Sequence, residues 1–409
     1  MSDTIRPATP YHSSRYTGYK SFSYLQEGDD YEAFELADEL SRVPSYNLGL
    51  TGEEEERTRR LVQDNIIISL HDHPQVFPAD MHQVRDYIRE GRQPTGYLGL
   101  SQSGMTAVFD NMTDGMAGIT SKSGWKFDDI IHDLGMRLAD IAHQDYVRIA
   151  YGLEDIRAAH AQDQLAIVLC LEAATPIENE VDRIDILYGL GVRQMGIAYS
   201  EANSLGSGLK EAGDGGLTVF GRRAVERMNK LGIAIDVSHS GDRTCMDTFE
   251  ASERPVLITH AGARAVWPTP RMKPDEVLRA CAEAGGILGL EAAPHTSLSN
   301  SHIEHSIESV MDHFTYVVNL MGIDNVAFGP DTLYGDHVTL HEVYAANLGV
   351  HLGHLGPEYP KMPYVAGLEN PTECFHNIVG WLVKHGFSDE DIIKVTGGNA
   401  LRVLEQIWH

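Results

Sequence analysis

Short apolar runs alternate with longer amphipathic segments along this chain from about residue 64 onward. Eight runs are rich in Ile, Val and Leu: NIIISLHDH (65–73), MTAVFD (105–110), AIVLCLE (166–172), RQMGIAYS (193–200), IAIDVSHS (233–240), PVLITHA (255–261), GILGLEA (286–292) and NVAFGPD (325–331). Continuous apolar runs of that length suit strands buried on both faces of a parallel sheet. Between them, 127–150, 220–232, 274–286 and 305–322 repeat apolar residues at helical spacing. Gly232, Gly285 and Gly322 stand where such helices stop. Eight strands alternating with helices predict an α/β fold, a (β/α)₈ TIM barrel of the metal-dependent hydrolase type. An open doubly wound sheet would place a glycine-rich phosphate turn after its first strand. Here the first strand runs into His73-Pro74-Gln75 instead. Residues 1–60 are polar and read as an N-terminal extension to a barrel spanning 61–409. Residues 333–370, rich in Gly, Pro and Tyr, read as a long loop after the eighth strand, placed to act as a lid. Two helices, 371–385 and 388–408, end the chain.

The strand ends carry the chemistry. His71 and His73 close the first strand, Glu172 the third, His239 the fifth, His260 the sixth and Asp331 the eighth. A barrel gathers the C-terminal ends of its strands on one face, so six ligand-type side chains are expected in one small volume. His71 and His73, at i and i+2, point to the same side of a strand and can share a metal. Glu172 can bridge two cations, with His239 and His260 on the second. Imidazoles with few carboxylates suit zinc, iron, cobalt or nickel better than calcium or magnesium, with manganese also open. Two metals sharing a water turn it into hydroxide near neutral pH. Asp331 can orient that water and move its proton. Taken singly, each has a duller reading: His73-Pro74 as a turn, Asp331 as a cap. Glu172 resists one, because an unpaired buried carboxylate is costly. His132, His143, His305 and His313 fall inside helical patterns and read as packing or outer-face residues, while His351 and His354 stay undecided.

Composition narrows the partners. Lysine and arginine number 32 against 59 acidic residues, a formal net charge of −27. Such a chain is ill suited to nucleic acid or to an anionic membrane surface. No run approaches the roughly 18 apolar residues of a membrane span. Four cysteines, none in a C-x-x-C pair, are too few for a disulfide framework. A cytoplasmic protein is expected.

At these residues the sequence resembles the membrane (renal) dipeptidase family of the amidohydrolase superfamily. The resemblance runs from about residue 64 to the C-terminus. It is carried by GGLTVFGRRAVERMNKLGIAIDVSHSGDRT (215–244), PVLITHAGARA (255–265), RMKPDEVLRACAEAGGILGL (271–290), VAFGPD (326–331) and GGNALRVLEQ (397–406). It implies a binuclear site, zinc being the usual family metal, with His71 and His73 on the first ion, Glu172 bridging, and His239 and His260 on the second. It makes Asp331 the catalytic acid/base and Arg271 the group that grips a substrate carboxylate. Two departures stand out. The family has His-x-Asp after the first strand, where this chain has His71-Asp72-His73. It places a substrate-contacting histidine after the fourth strand, where this chain has Tyr199, with Leu205 near the position of the usual tryptophan. Tyr199 can still donate to a developing oxyanion, without supplying a charge.

The expected activity is hydrolysis of an amide in a dipeptide or N-acyl amino acid, by a homo-oligomer acting on a small molecule that carries a carboxylate. The departures keep a second reading open: the same metal site acting on a lactone, a cyclic amide or in metal-dependent oxidative chemistry.

Overall fold

The computed structural model describes residues 9–112, 125–347 and 357–408. His351 and His354 lie outside the described residues. Ten strands form one parallel sheet: β1 Ile68–Val76, β2 Ala107–Met112, β3 Val147–Ile149, β4 Leu165–Leu171, β5 Val192–Gly196, β6 Ala234–Asp236, β7 Val256–Ala261, β8 Leu288–Leu290, β9 Val326–Phe328 and β10 Leu333–Tyr334. Their order is β10-β1-β2-β4-β5-β6-β7-β8-β9, with β3 added beside β4. β9 and β10 belong to one stretch of chain, broken only by residues 329–332. The Asp331 amide donates to His71 O at 2.9 Å and the His73 amide to Thr332 O at 2.8 Å. The stretch that ends the sheet therefore also pairs with its beginning, and the barrel closes.

All eight expected strands are present, and two more join them. The segment 127–150, expected as one helix, is a helix only over Phe127–Ile141 and then yields β3. Its last residues, Tyr146-Val147-Arg148-Ile149, are β-branched or aromatic at three of four positions, which favours a strand once a partner edge is beside them. The expected loop 333–370 opens instead with β10 and a helix, His337–Asn347. The two expected terminal helices are Cys374–Lys384 and the pair Asp389–Ile393 and Asn399–Ile407, joined by a π-helical turn. Gly232 (φ 77°) and Gly322 (φ 82°) end their helices in the left-handed half of the map, as the pattern suggested.

β1 and β4 are buried along their whole lengths. Such strands form where helices cover one face and the barrel interior the other. The interior is tight: a Cβ on Gly329 would sit 2.2 Å from Thr259 O and 3.2 Å from His71 Cβ. Residues 9–51 wrap the outside with little regular structure. They bond to the barrel through Ser13 N to Ser101 O, Ala37 N to Phe77 O and Ala79 N to Glu35 O. The helix Gly52–Asp64 then runs across residue 60 and turns Leu61 and Val62 inward.

Candidate metal centre

β1 carries His71 and His73 inside the strand, two residues apart and on one side, with Pro74 mid-strand and not in a turn. Glu172 follows directly on β4, His260 lies within β7, and His239 and Asp331 sit three residues past β6 and β9. All six are buried. Their ring nitrogens and carboxylate oxygens meet at the barrel mouth. Glu172 Oε1 lies 3.0 Å from His239 Nε2, 3.4 Å from His260 Nε2 and 3.8 Å from His71 Nε2. Asp331 Oδ1 lies 3.4 Å from His71 Nε2 and 3.2 Å from His73 Nε2. The structure thus brings the six residues together, with His71 shared by both halves of the cluster.

The donor set fits a cation. His239 Nε2 and His260 Nε2 face each other at 2.9 Å, and His71 Nε2 and His73 Nε2 at 3.3 Å. Glu172 Oε2, His71 Nδ1 and His239 Nδ1 are buried with no hydrogen-bond partner. Buried polar atoms are ordinarily satisfied, so orphans on three side chains of one buried cluster mark a place for a ligand. His73 Nδ1 is held by Asn111 O at 2.8 Å, which leaves Nε2 free to ligate, and His260 Nδ1 meets Thr259 Oγ1 at 2.9 Å.

The electrostatics agree. Burial drives His239 and His260 well below the ordinary imidazole range. Burial also lowers His71, against the pull of Asp331. At His73 burial acts the same way, but the Asp331 and Glu172 carboxylates outweigh it and lift the ring to about 9. Burial pushes the Glu172 carboxyl well above the usual range. It would do the same to Asp331, but His71 and His73 overcome it and hold that carboxyl well below. His71, His239 and His260 are thus kept neutral, the form in which an imidazole ligates, while His73 pairs with Asp331.

Asp331 is held by an unusual backbone. Its φ is 60°, a region that non-glycine residues enter at a cost of about 1 kcal/mol or more. Its amide is tied to His71 O, and the next residue is clamped by Asp72. Asp72 Oδ1 accepts from Thr332 N at 2.8 Å and Thr332 Oγ1 at 2.7 Å, while its Oδ2 accepts from Ser69 Oγ. The residue between the two β1 histidines points to the other face and fastens the turn that presents Asp331.

Tyr199 stacks on the His239 ring, centroids 4.1 Å apart and planes 17° off parallel. Arg271 lies beside the cluster with most of its side chain buried. Its Nη1 donates to His260 O at 2.9 Å and its Nη2 pairs with Glu291. Sequence reasoning passed over Glu291. The residue follows β8 as Glu172 follows β4, so the strand-end rule that found one could have found the other. Burial raises Glu291 to about 7, with Arg271 opposing. His337 and His341, on the helix that replaces the expected loop, face the same mouth with ring centroids 4.4 Å apart. His305 and His313 are packing residues, as expected: His313 Nδ1 accepts from Ala263 N at 2.9 Å and His305 Nδ1 from His295 N at 2.9 Å. His132 and His143 are exposed.

The family model for membrane dipeptidase (peptidase family M19) matches residues 133–347, just over half of the chain. The chain belongs to the membrane dipeptidase family. This stretch holds four of the six residues at the mouth, Glu172, His239, His260 and Asp331, together with Tyr199 and Arg271. A dipeptidase of Claviceps purpurea, tcpJ, is 28% identical over 279 residues, covering 67% of this chain but only 58% of that protein. An amidohydrolase of Pseudomonas aeruginosa shares the fold at a TM-score of 0.72, with 24% identity over 86% of this chain and 99% of that one. A metallopeptidase of Rhodobacter sphaeroides, solved with a phosphinate mimic of the dipeptide L-Ala-D-Ala, superposes at a TM-score of 0.64, with 19% identity over 84% of this chain and 99% of that one. His73 and Tyr199, the two positions singled out in the sequence, both stand within the cluster.

Proposed function

We propose that this member of the membrane dipeptidase family is a metal-dependent hydrolase that cleaves the amide bond of a dipeptide or N-acyl amino acid. One observation carries the reading: four imidazoles and two carboxylates converge in a buried mouth and leave ligand atoms unsatisfied. We infer two divalent ions, zinc first, held by His71, His73, Glu172, His239, His260 and Asp331. Bound there, such ions acidify water and polarise a carbonyl. The chain's own residues do the rest. Asp331, kept ionised by His71 and His73, takes a proton from the attacking water and returns it to the leaving nitrogen. Tyr199, its phenol held protonated by burial, donates to the carbonyl oxygen as charge builds there. Arg271, oriented by Glu291, receives the substrate's carboxylate. The phosphinate dipeptide mimic bound by the Rhodobacter relative supports this substrate class.

Asp331→Asn is expected to lower kcat by about 10²–10⁴-fold while metal content, read by elemental analysis, stays near that of the parent. Full activity in that variant would sink the mechanism. The neutral Tyr199, where a histidine is expected, favours a second reading with a lactone or cyclic amide as substrate. A screen across L,L- and L,D-dipeptides, N-acyl amino acids and lactones separates the two. We also propose a cytoplasmic location, supported by four buried, unpaired cysteines. Among the described residues, no helix is long and apolar enough to cross a membrane.

A further inference from the structure

The loop after β5 returns to the mouth that it leaves. The Leu209 amide donates to His239 O at 2.8 Å and the Lys210 amide to Ser200 O at 3.0 Å. Gly208 bridges to Ser240, and a Cβ there would lie 2.3 Å from the Ser200 carbonyl carbon. Lys210 is thereby set between the strand end that carries Tyr199 and the turn that carries His239. Its side chain is half-buried.

The surroundings of Lys210 are short of negative charge. The charges that act on it are those of Arg271, from the loop after β7, and Glu201, from its own loop, and it acts in turn on His341 of the helix His337–Asn347. None of the salt bridges among the described residues includes Lys210. Arg271 differs, because Glu291 already balances it. Burial, and then Arg271, lower the ammonium to about 8, so it still carries its charge near neutral pH. In a chain with 59 acidic and 32 basic residues, a desolvated lysine without a carboxylate partner is out of keeping with the whole. Leaving a charge in that state is costly unless something pairs with it.

We infer that Lys210 is a second anion-binding group of the substrate pocket, so that the substrate carries two acidic groups. One carboxylate docks at Arg271, and the other is the side-chain carboxylate of an aspartyl or glutamyl residue on the leaving side of the scissile bond. This inference rests on the amide-hydrolase reading for the position of the scissile bond. Binding tests it without turnover.

L-Alanyl-L-glutamate and L-alanyl-L-glutamine are compared on the metal-loaded parent, Lys210→Met and Lys210→Arg. In parallel, titration calorimetry compares free L-glutamate with L-glutamine. The parent is expected to favour the acidic member of each pair by at least about tenfold, in kcat/KM and in Kd. Lys210→Met brings both ratios close to one, Lys210→Arg preserves them, and added salt shrinks them. A parent that does not discriminate overturns the inference, and so does a preference that survives Lys210→Met. Equal losses on the acid and the amide also overturn it, because they place Lys210 on the shared main-chain carboxylate. If neither dipeptide is cleaved, the dipeptide reading falls, and the glutamate–glutamine comparison alone decides the role of Lys210.

Discussion

Two buried carboxylates, 32 positions apart, have opposite surroundings. Asp140, on the helix Phe127–Ile141, lies under the N-terminal extension and is 1% exposed. Every lone pair it offers is used. Tyr19 Oη donates to it at 2.8 Å, the Phe22 amide at 2.7 Å and Tyr97 Oη at 2.9 Å, with Ser21 Oγ as a fourth donor. Glu172, at the barrel mouth, is 3% exposed and has one oxygen with no partner at all. Its other oxygen faces the Nε2 atoms of His239, His260 and His71. Burial is nearly equal in the two places; satisfaction differs. A fully bonded buried carboxylate is a clamp, here joining the extension to the barrel. An unsatisfied one belongs to a site that is completed from outside the chain.

The contrast is open to attack from both sides, and the larger effect is on the mouth. Glu172→Gln is expected to weaken metal binding by at least about a hundredfold and to abolish turnover. Unfolding of the metal-free protein should barely change, since glutamine resembles the protonated carboxyl that burial already favours. A metal-free variant much less stable than its parent would show that Glu172 is a structural group. Next comes Asp140→Ala, which strands four donors. A loss of about 3 kcal/mol in denaturant unfolding is expected, with metal content per folded chain unchanged. A metal-depleted but stable Asp140→Ala would reverse the assignment.

The smallest effect lies between these extremes. Glu39 accepts from the Gly99 amide at 2.7 Å, yet burial raises its carboxyl to about 7. Its folded value is above its unfolded one, so the protonated form stabilises the fold. That contribution is complete below about pH 4.5 and is lost as pH rises toward 7. Glu39→Gln should flatten this part of the stability–pH curve, by about 2 kcal/mol or less given partial exposure. An unaltered curve would show that the amide bond from Gly99 fully compensates for burial.

Much of the molecule is legible in the linear pattern. The apolar runs located eight strands, and the residues closing them located six side chains that the fold gathers. The same rule, applied to the LEA that closes the seventh run, would have added Glu291. The misread parts are those where the pattern is local and the cause is distant. Val147–Ile149 continues a helical periodicity and becomes a strand because the edge of β4 is free to pair. Leu333–Tyr334 sits in a Gly- and Pro-rich stretch and becomes a strand because β1 lies beside it. Lys210 belongs to no motif and reaches the mouth only through backbone bonds made to Ser200 and His239.

The sequence alone determined the alternation of elements, the strand-end chemistry and the family, because periodicity and residue type are properties of position along the chain. Tertiary structure decided which atoms are left without partners. That depends on closing the barrel, since only closure brings Asp331 to His71, turns Asp72 onto Thr332 and sets an unpaired Lys210 beside a balanced Arg271.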